Sequence, residues 1–181
     1  MDPPLFSHSI NTLEFAVKMA GSYEKNINLF DLCISSVVHD YGKTFDPEEL
    51  IRLVKKHKLD ISEFELGLKP LLHGLIGDFL IARDFGIKNT KIQRAVKYHT
   101  IGSVNMSPEE KILFIADKVE KGRKYEKAEE LRRLALKNIN LCLIEVYKNT
   151  IIYVINKNGL LHPDTSGIWN SICGGVINYV F

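Results

Sequence analysis

Apolar residues recur along the chain at intervals of three and four, the period of an amphipathic helix, and no stretch of useful length alternates as a strand would. From residue 7 to about 23, Leu13, Ala16, Val17 and Ala20 make one such stripe, with His8 in the first turn. A second apolar run starts near Leu29, carries Ile34, Val37 and Val38, and delivers His39 and Asp40 at its end, with Gly42 as a stop. Asp46, Pro47 and Glu49 announce the next helix by a carboxylate cap, a first-turn proline and a capping box, and Leu50, Leu53 and Val54 are its buried side. Further helices are expected over 71–85, closed by Gly86, over 90–98, and over 108–119 behind the capping box of Ser107 and Glu110. Others are expected over 125–136 and over 141–156, the latter closed near Gly159. A last segment begins at Asp164 or Thr165 and runs toward residue 181, where Gly174 and Gly175 leave its far end open. With no repeat, biased tract or linker, the pattern predicts an all-α, single-domain helical bundle.

Composition narrows the functions open to such a bundle. A chain of 181 residues with 45% hydrophobic content can bury one core without disulfides. Its 24 basic and 22 acidic residues give a formal charge of +2, which offers no broad basic surface for nucleic acid. An anionic ligand must therefore be met by a local site. Cys33, Cys142 and Cys173 are odd in number and far apart, which suits a reducing, cytoplasmic compartment. The N-terminus lacks the charged and apolar regions of a secretion signal. The most apolar stretch, 141–155, is interrupted by Glu145, Lys148 and Asn149, so no membrane span is expected.

The candidate chemistry lies at the interruptions between helices. His8, His39, His73, His99 and His162 all fall there, whereas His57, among lysines, reads as a surface residue. Singly, a histidine at a helix end is more often a cap or a solvated side chain. The pair His39 and Asp40 is different, because two ligating groups directly follow the apolar run 34–38, where an unpaired buried charge costs several kcal/mol. A cation removes that difficulty. Asp117 repeats the argument at the end of the apolar face 112–116. His8, His39, Asp40 and Asp117 together make an imidazole and carboxylate set without thiolate, suited to iron, manganese or another octahedral divalent ion. Such an ion can polarise a phosphate oxygen and activate water, so hydrolysis is the simplest outcome. Lys43 and Arg123 stand beside the two ligand segments and supply countercharge for phosphate, Arg123 as a planar fork. His73 and His99 either ligate a second ion with Asp40 bridging or hydrogen-bond phosphate oxygens.

Read in order, His8, His39-Asp40 and Asp117 resemble the H…HD…D signature of the HD-domain superfamily of helical metal-dependent phosphohydrolases. The fuller string is similar to the YqeK family: His8-Ser9, His39 to Lys43, Leu72 to Gly74, Tyr98 to Gly102, Ala116 to Arg123, and His162 to Thr165. That resemblance implies symmetrical hydrolysis of diadenosine tetraphosphate, or a related dinucleoside polyphosphate, to two ADP, with one iron-type ion in the site. It carries nucleotide contacts onto Ser7, Asp40, Tyr41, Gly42, Lys43, His73, His99, Asp117, Lys118 and Arg123. It also carries them onto the loop of His162, Pro163, Asp164, Thr165, Ser166 and Gly167, placed near base or ribose. ADP- or GDP-like products fit such a site, and a homodimer is left open. Lys121 departs from the family's usual proline, which is expected to loosen the Arg123 loop. The short segment before His8 is expected to leave one side of the site open. The alternatives are an HD hydrolase for another nucleotide, a nucleotide sensor without catalysis, and a purely structural bundle.

Overall fold

The computed structural model describes residues 2–23 and 26–174. In chain order run α1 (Pro3–Gly21), α2 (Leu29–Val38), α3 (Pro47–His57), α4 (Glu63–Gly67), α5 (Leu72–Leu75), α6 (Gly77–Phe85), α7 (Thr90–Tyr98), α8 (Pro108–Val119), α9 (Ala128–Lys137), α10 (Ile139–Asn156) and α11 (Thr165–Gly174). Short 3-10 turns, Tyr41–Thr44 and Lys69–Leu71, lie between them, and the described residues contain no strand.

Local chemistry explains most of these limits. Asp2 accepts from the Leu5 N–H at 3.0 Å and Pro3 opens the first turn, so α1 starts ahead of the expected residue 7. Ser107 and Glu110 form the expected capping box of α8. The box expected at Asp46 and Glu49 is not formed: α3 starts on Pro47 with no side-chain cap. A true box stands at Ser62 and Glu65, opening α4, which the apolar pattern does not reveal because the helix is too short to show a stripe. The helix expected over 71–85 breaks at Ile76, where φ is −111° and ψ 12°. Gly42 does not stop a helix. It lies buried in the turn Tyr41–Thr44, where a Cβ would stand 2.6 Å from the His73 carbonyl oxygen. α10 closes near Gly159 as expected, with Asn158 taking the left-handed conformation (φ 53°) and the Gly159 N–H bonding back to the Val154 carbonyl at 2.9 Å. The last expected segment is helical as far as Gly174, and its remainder lies outside the described residues.

Helix α8 is the axis of the fold. Residues 112–117 and Val119 are all buried, so the helix is apolar on every side and must be enclosed. Helices α1, α2, α7, α9 and α10 pack around it. The main core joins Met19, Leu32, Phe114, Leu143 and Ile168. A second cluster, including Leu50, Val54, Leu72 and Leu80, seats α3 against α5 and α6. Polar groups buried beside α8 therefore lie at the centre of the molecule. Among the described residues no helix is long and apolar enough to cross a membrane.

Candidate metal centre

Four helices bring their histidines to one point beside α8. His39 follows the last residue of α2, His99 follows the last residue of α7, His73 lies in α5, and His8 projects from α1. The carbonyls of a last helical turn have no partner within the helix. At His39, His73 and His99 the ring itself satisfies one. Nδ1 donates to the carbonyl three residues back: Ser36 at 2.8 Å, Pro70 at 2.9 Å and Val96 at 2.7 Å. His8 sits within α1, where nearby carbonyls are already bonded, and its Nδ1 donates instead to Glu120 Oε1 at 3.2 Å. All four rings thus tie Nδ1 down and turn Nε2 inward.

Those nitrogens meet carboxylate oxygens. His8 Nε2 lies 3.3 Å from His39 Nε2 and 2.9 Å from Asp117 Oδ1. Asp40 Oδ2 lies 3.4 Å from His8 Nε2 and 3.5 Å from His39 Nε2. Its other oxygen lies 3.2 Å from His73 Nε2 and 3.3 Å from His99 Nε2, yet accepts no hydrogen bond. Two groups of donor atoms result, His8, His39, Asp40 and Asp117 in one, Asp40, His73 and His99 in the other, with Asp40 common to both. A buried assembly of two carboxylates and four imidazole nitrogens demands positive charge. The donor set fits a divalent ion on these grounds, and the orphaned Asp40 oxygen is the clearest sign.

Electrostatics respond to the same demand. Burial works against charge on His39, but the Asp117 and Asp40 carboxylates outweigh it and push its pKa up to about 9. A proton on His39 thereby supplies part of the missing charge. Burial would raise the Asp40 and Asp117 carboxyls. The imidazoles around Asp40, and Lys118 with His39 and His8 beside Asp117, hold both well below the usual range. His99 is pulled down to about 4, chiefly by burial, and is neutral near pH 7.

A cationic rim surrounds the acceptors. Lys43 Nζ donates to Asp40 Oδ2 at 2.7 Å with its side chain 42% exposed. Arg123 Nε donates to the Asp117 carbonyl at 2.9 Å and its NH2 to Asp117 Oδ1 at 3.0 Å, with the side chain 40% exposed. Lys118 Nζ donates to the His99 carbonyl at 2.8 Å and to Asp117 Oδ2 at 3.2 Å, and burial lowers its pKa. The loop bearing Arg123 is not loose. Arg132 NH1 reaches the carbonyls of Val119, Glu120 and Arg123 at 2.8, 3.0 and 3.3 Å, and Lys121 pairs with Glu14 of α1 at 2.7 Å.

The remaining sequence candidates lie further out. Ser7 is exposed next to His8. The Tyr41 ring packs against Phe45 and Phe85 and its hydroxyl donates to Asp84 at 3.1 Å, so its side chain is committed elsewhere. His162 is buried, with Nε2 3.1 Å from Glu65 Oε1 and Nδ1 accepting the Asp164 N–H at 3.2 Å. Pro163, Asp164, Ser166 and Gly167 are exposed around the start of α11, and Thr165 interacts with Tyr147. His57 is exposed against Phe79. The sequence reading missed Glu120 and Arg132. Glu120 directly follows α8, three residues after Asp117, and that spacing was the available signal.

Residues 5–122 match the HD domain family. The symmetrical bis(5'-nucleosyl)-tetraphosphatase of Halalkalibacterium halodurans is 30% identical over 92% of this chain and 88% of its own length. The enzyme of the same description from Bacillus subtilis is 28% identical over 94% of this chain and 90% of its own. A crystal structure from Clostridium acetobutylicum, described as a predicted HD superfamily hydrolase involved in NAD metabolism, is 32% identical. It superposes with a TM-score of 0.89, covering 97% of this chain and 92% of that one.

Proposed function

The chain belongs to the HD domain family, and we propose that it hydrolyses diadenosine tetraphosphate symmetrically, giving two ADP, with a divalent metal ion held by His8, His39, Asp40 and Asp117. The observation that carries the reading is the convergence of four Nε2 atoms on two buried carboxylates, within a chain aligned almost end to end with symmetrical tetraphosphatases. We take iron first and manganese second, since imidazole and carboxylate without thiolate suit both. The three cysteines form no disulfide, which supports a reducing, cytoplasmic setting.

The bound ion supplies Lewis acidity at a phosphate oxygen and makes water nucleophilic near neutral pH. The protein's own groups do the rest. Arg123, anchored through Nε and NH2, keeps the exposed part of its fork for the polyphosphate, and Lys43 adds a point charge beside Asp40. Lys118 balances Asp117 from the buried side. Exposed Pro163, Asp164, Ser166 and Gly167, on a loop fastened by His162, are the surface we assign to the nucleoside, with Ser7 and the turn Tyr41–Thr44 at the phosphates. One water is consumed and the central anhydride bond breaks, so each ADP keeps two phosphates. We treat the described bundle as one catalytic unit, because α8 contributes to both the core and the site.

A second reading concerns the number of ions. His73 and His99 direct their Nδ1 N–H groups to carbonyls, which leaves each Nε2 facing Asp40 as a potential ligand atom. This favours a second ion, which Asp40, His73 and His99 would hold and which would supply further Lewis acidity beside the first.

The test is turnover by metal-free protein reloaded with ferrous or manganous ion, with products separated by chromatography and metal counted per chain. ADP as sole product is expected. ATP with AMP would refute symmetrical cleavage, and inertness with every ion would refute the enzyme. A panel of deoxynucleotides, cyclic nucleotides and guanosine alarmones separates the other HD substrates. His73→Ala lowers the metal count from two to one only if the second ion exists.

A further inference from the structure

We propose that Glu120 is a positioning residue of the metal centre: it holds His8 with Nε2 toward the ion, a task that the other three histidines leave to their own backbone. The inference rests on His8 being a metal ligand. His39, His73 and His99 each find a carbonyl three residues back. His8, inside an unbroken helix, must take its Nδ1 acceptor from elsewhere in the chain. That acceptor is Glu120 Oε1, 112 residues away and 3.2 Å distant. An anionic acceptor on the far nitrogen fixes the tautomer and ring angle and makes the ligand more basic.

Glu120 is itself held. It is 3% exposed, its second oxygen accepts the Gly122 N–H, and Arg123 Nε lies 3.7 Å from Oε1. A Cβ on Gly122 would stand 2.8 and 3.0 Å from the two carboxylate oxygens, so only glycine leaves the carboxylate where His8 needs it. Arg132 ties the Glu120 carbonyl to α9. The end of α8 therefore supplies both a ligand, Asp117, and the orientation of a ligand on α1.

Manganese affinity, measured by competition with a coloured chelator, and the Tm of the metal-free protein test this for wild type, His8→Ala, Glu120→Ala, Glu120→Gln and the double variant His8→Ala/Glu120→Ala. Glu120→Ala is expected to weaken manganese binding by about 10- to 100-fold, the range for lost outer-shell partners. Glu120→Gln keeps an acceptor without the charge, falls between, and carries the test if the alanine variant does not fold. In the His8→Ala background, removing Glu120 changes affinity by less than about threefold, because the effect passes through the missing ring. Equal losses with and without His8, or a Glu120→Ala affinity within about threefold of wild type, overturn the proposal and leave Glu120 a loop clamp seen only in the metal-free Tm. If His8→Ala itself binds manganese as tightly as wild type, the metal centre is misassigned and the proposal falls with it. That result is distinguishable because it needs no Glu120 variant.

Discussion

Asp40→Asn is the sharpest single test of the centre. Asp40 is wholly buried, and its two oxygens lie between 3.2 and 3.5 Å from four imidazole nitrogens, so both donor groups depend on it. An ion present at one hundred times its Kd stabilises the folded state by about 2.7 kcal/mol. In a chain of this length about 1 kcal/mol moves Tm by about 2–4 °C, so saturating manganese raises the wild-type Tm by about 5–11 °C. A hundredfold weaker site under the same conditions gains about 0.4 kcal/mol, or about 1–2 °C. Asparagine keeps the size and puts an amide where a carboxylate oxygen was needed, so the manganese-dependent rise nearly vanishes, and turnover with it. Differential scanning fluorimetry with and without manganese reads this directly. The metal-free Tm does not decide the matter, since losing a partner of Lys43 and His39 changes it under any reading. An Asp40→Asn variant whose Tm still rises by 5 °C or more with manganese, against the wild-type rise worked above, would refute the assignment and favour a purely structural cluster.

Protonation gives a second prediction. His39, raised to about 9, adds stability to the metal-free protein that is fully present below its unfolded value of about 6.5 and is lost as pH climbs through 9. An ion must displace that proton, so manganese affinity rises by about tenfold per pH unit toward 9, and a flat profile in chelator competition from pH 6.5 to 9 would count against it. His99, lowered to about 4, acts in the other direction: the unfolded chain takes up a proton that the folded one refuses, so the metal-free Tm falls from pH 6.5 toward 4. Arg123→Lys removes the fork but keeps the charge, and lowers kcat/KM by about tenfold or more, about 1.4 kcal/mol, with metal content unchanged. Gly42→Ala drives a Cβ against the backbone of His73, which cannot yield as a side-chain tip would. The expected cost is about 1–3 kcal/mol in the denaturation midpoint, with weaker manganese binding.

Three of the four proposed ligands, His39, Asp40 and Asp117, were legible because each breaks a strong apolar pattern. Charged or imidazole groups directly after 34–38 and 112–116 conflict with burial, and only a cation or a partner resolves the conflict. The helices were legible for the same reason, with boundaries close wherever proline and serine caps mark them, as at Pro108. What stayed hidden depends on contacts between distant segments. Periodicity shows no reason for the break at Ile76, which sets α5 apart from α6 and places His73 3.2 Å from His99. Nor does it show that Gly42 is needed for close approach to His73, or that Arg132 gathers three carbonyls at the end of α8. The substrate's adenosine lies further still from any pattern in the chain, and enters only through likeness to the tetraphosphatases.

The rim cations explain how such a centre can serve a polyanion. Lys43 is bonded to Asp40, and Arg123 and Lys118 to Asp117, so each positive group is engaged by a carboxylate of the same cluster. Those carboxylates are also the oxygens an ion would take. Charge shared with a divalent ion weakens their hold on lysine and arginine. Lys43 and Arg123, exposed by about two fifths, are the two that can turn outward, whereas Lys118 stays under Asp117 on the His99 carbonyl. Under the proposed function a metal ion and a phosphate chain would therefore reinforce one another through Asp40 and Asp117. The same two carboxylates whose charge would repel a tetraphosphate would become, once neutralised by a cation, the reason the positive rim is available.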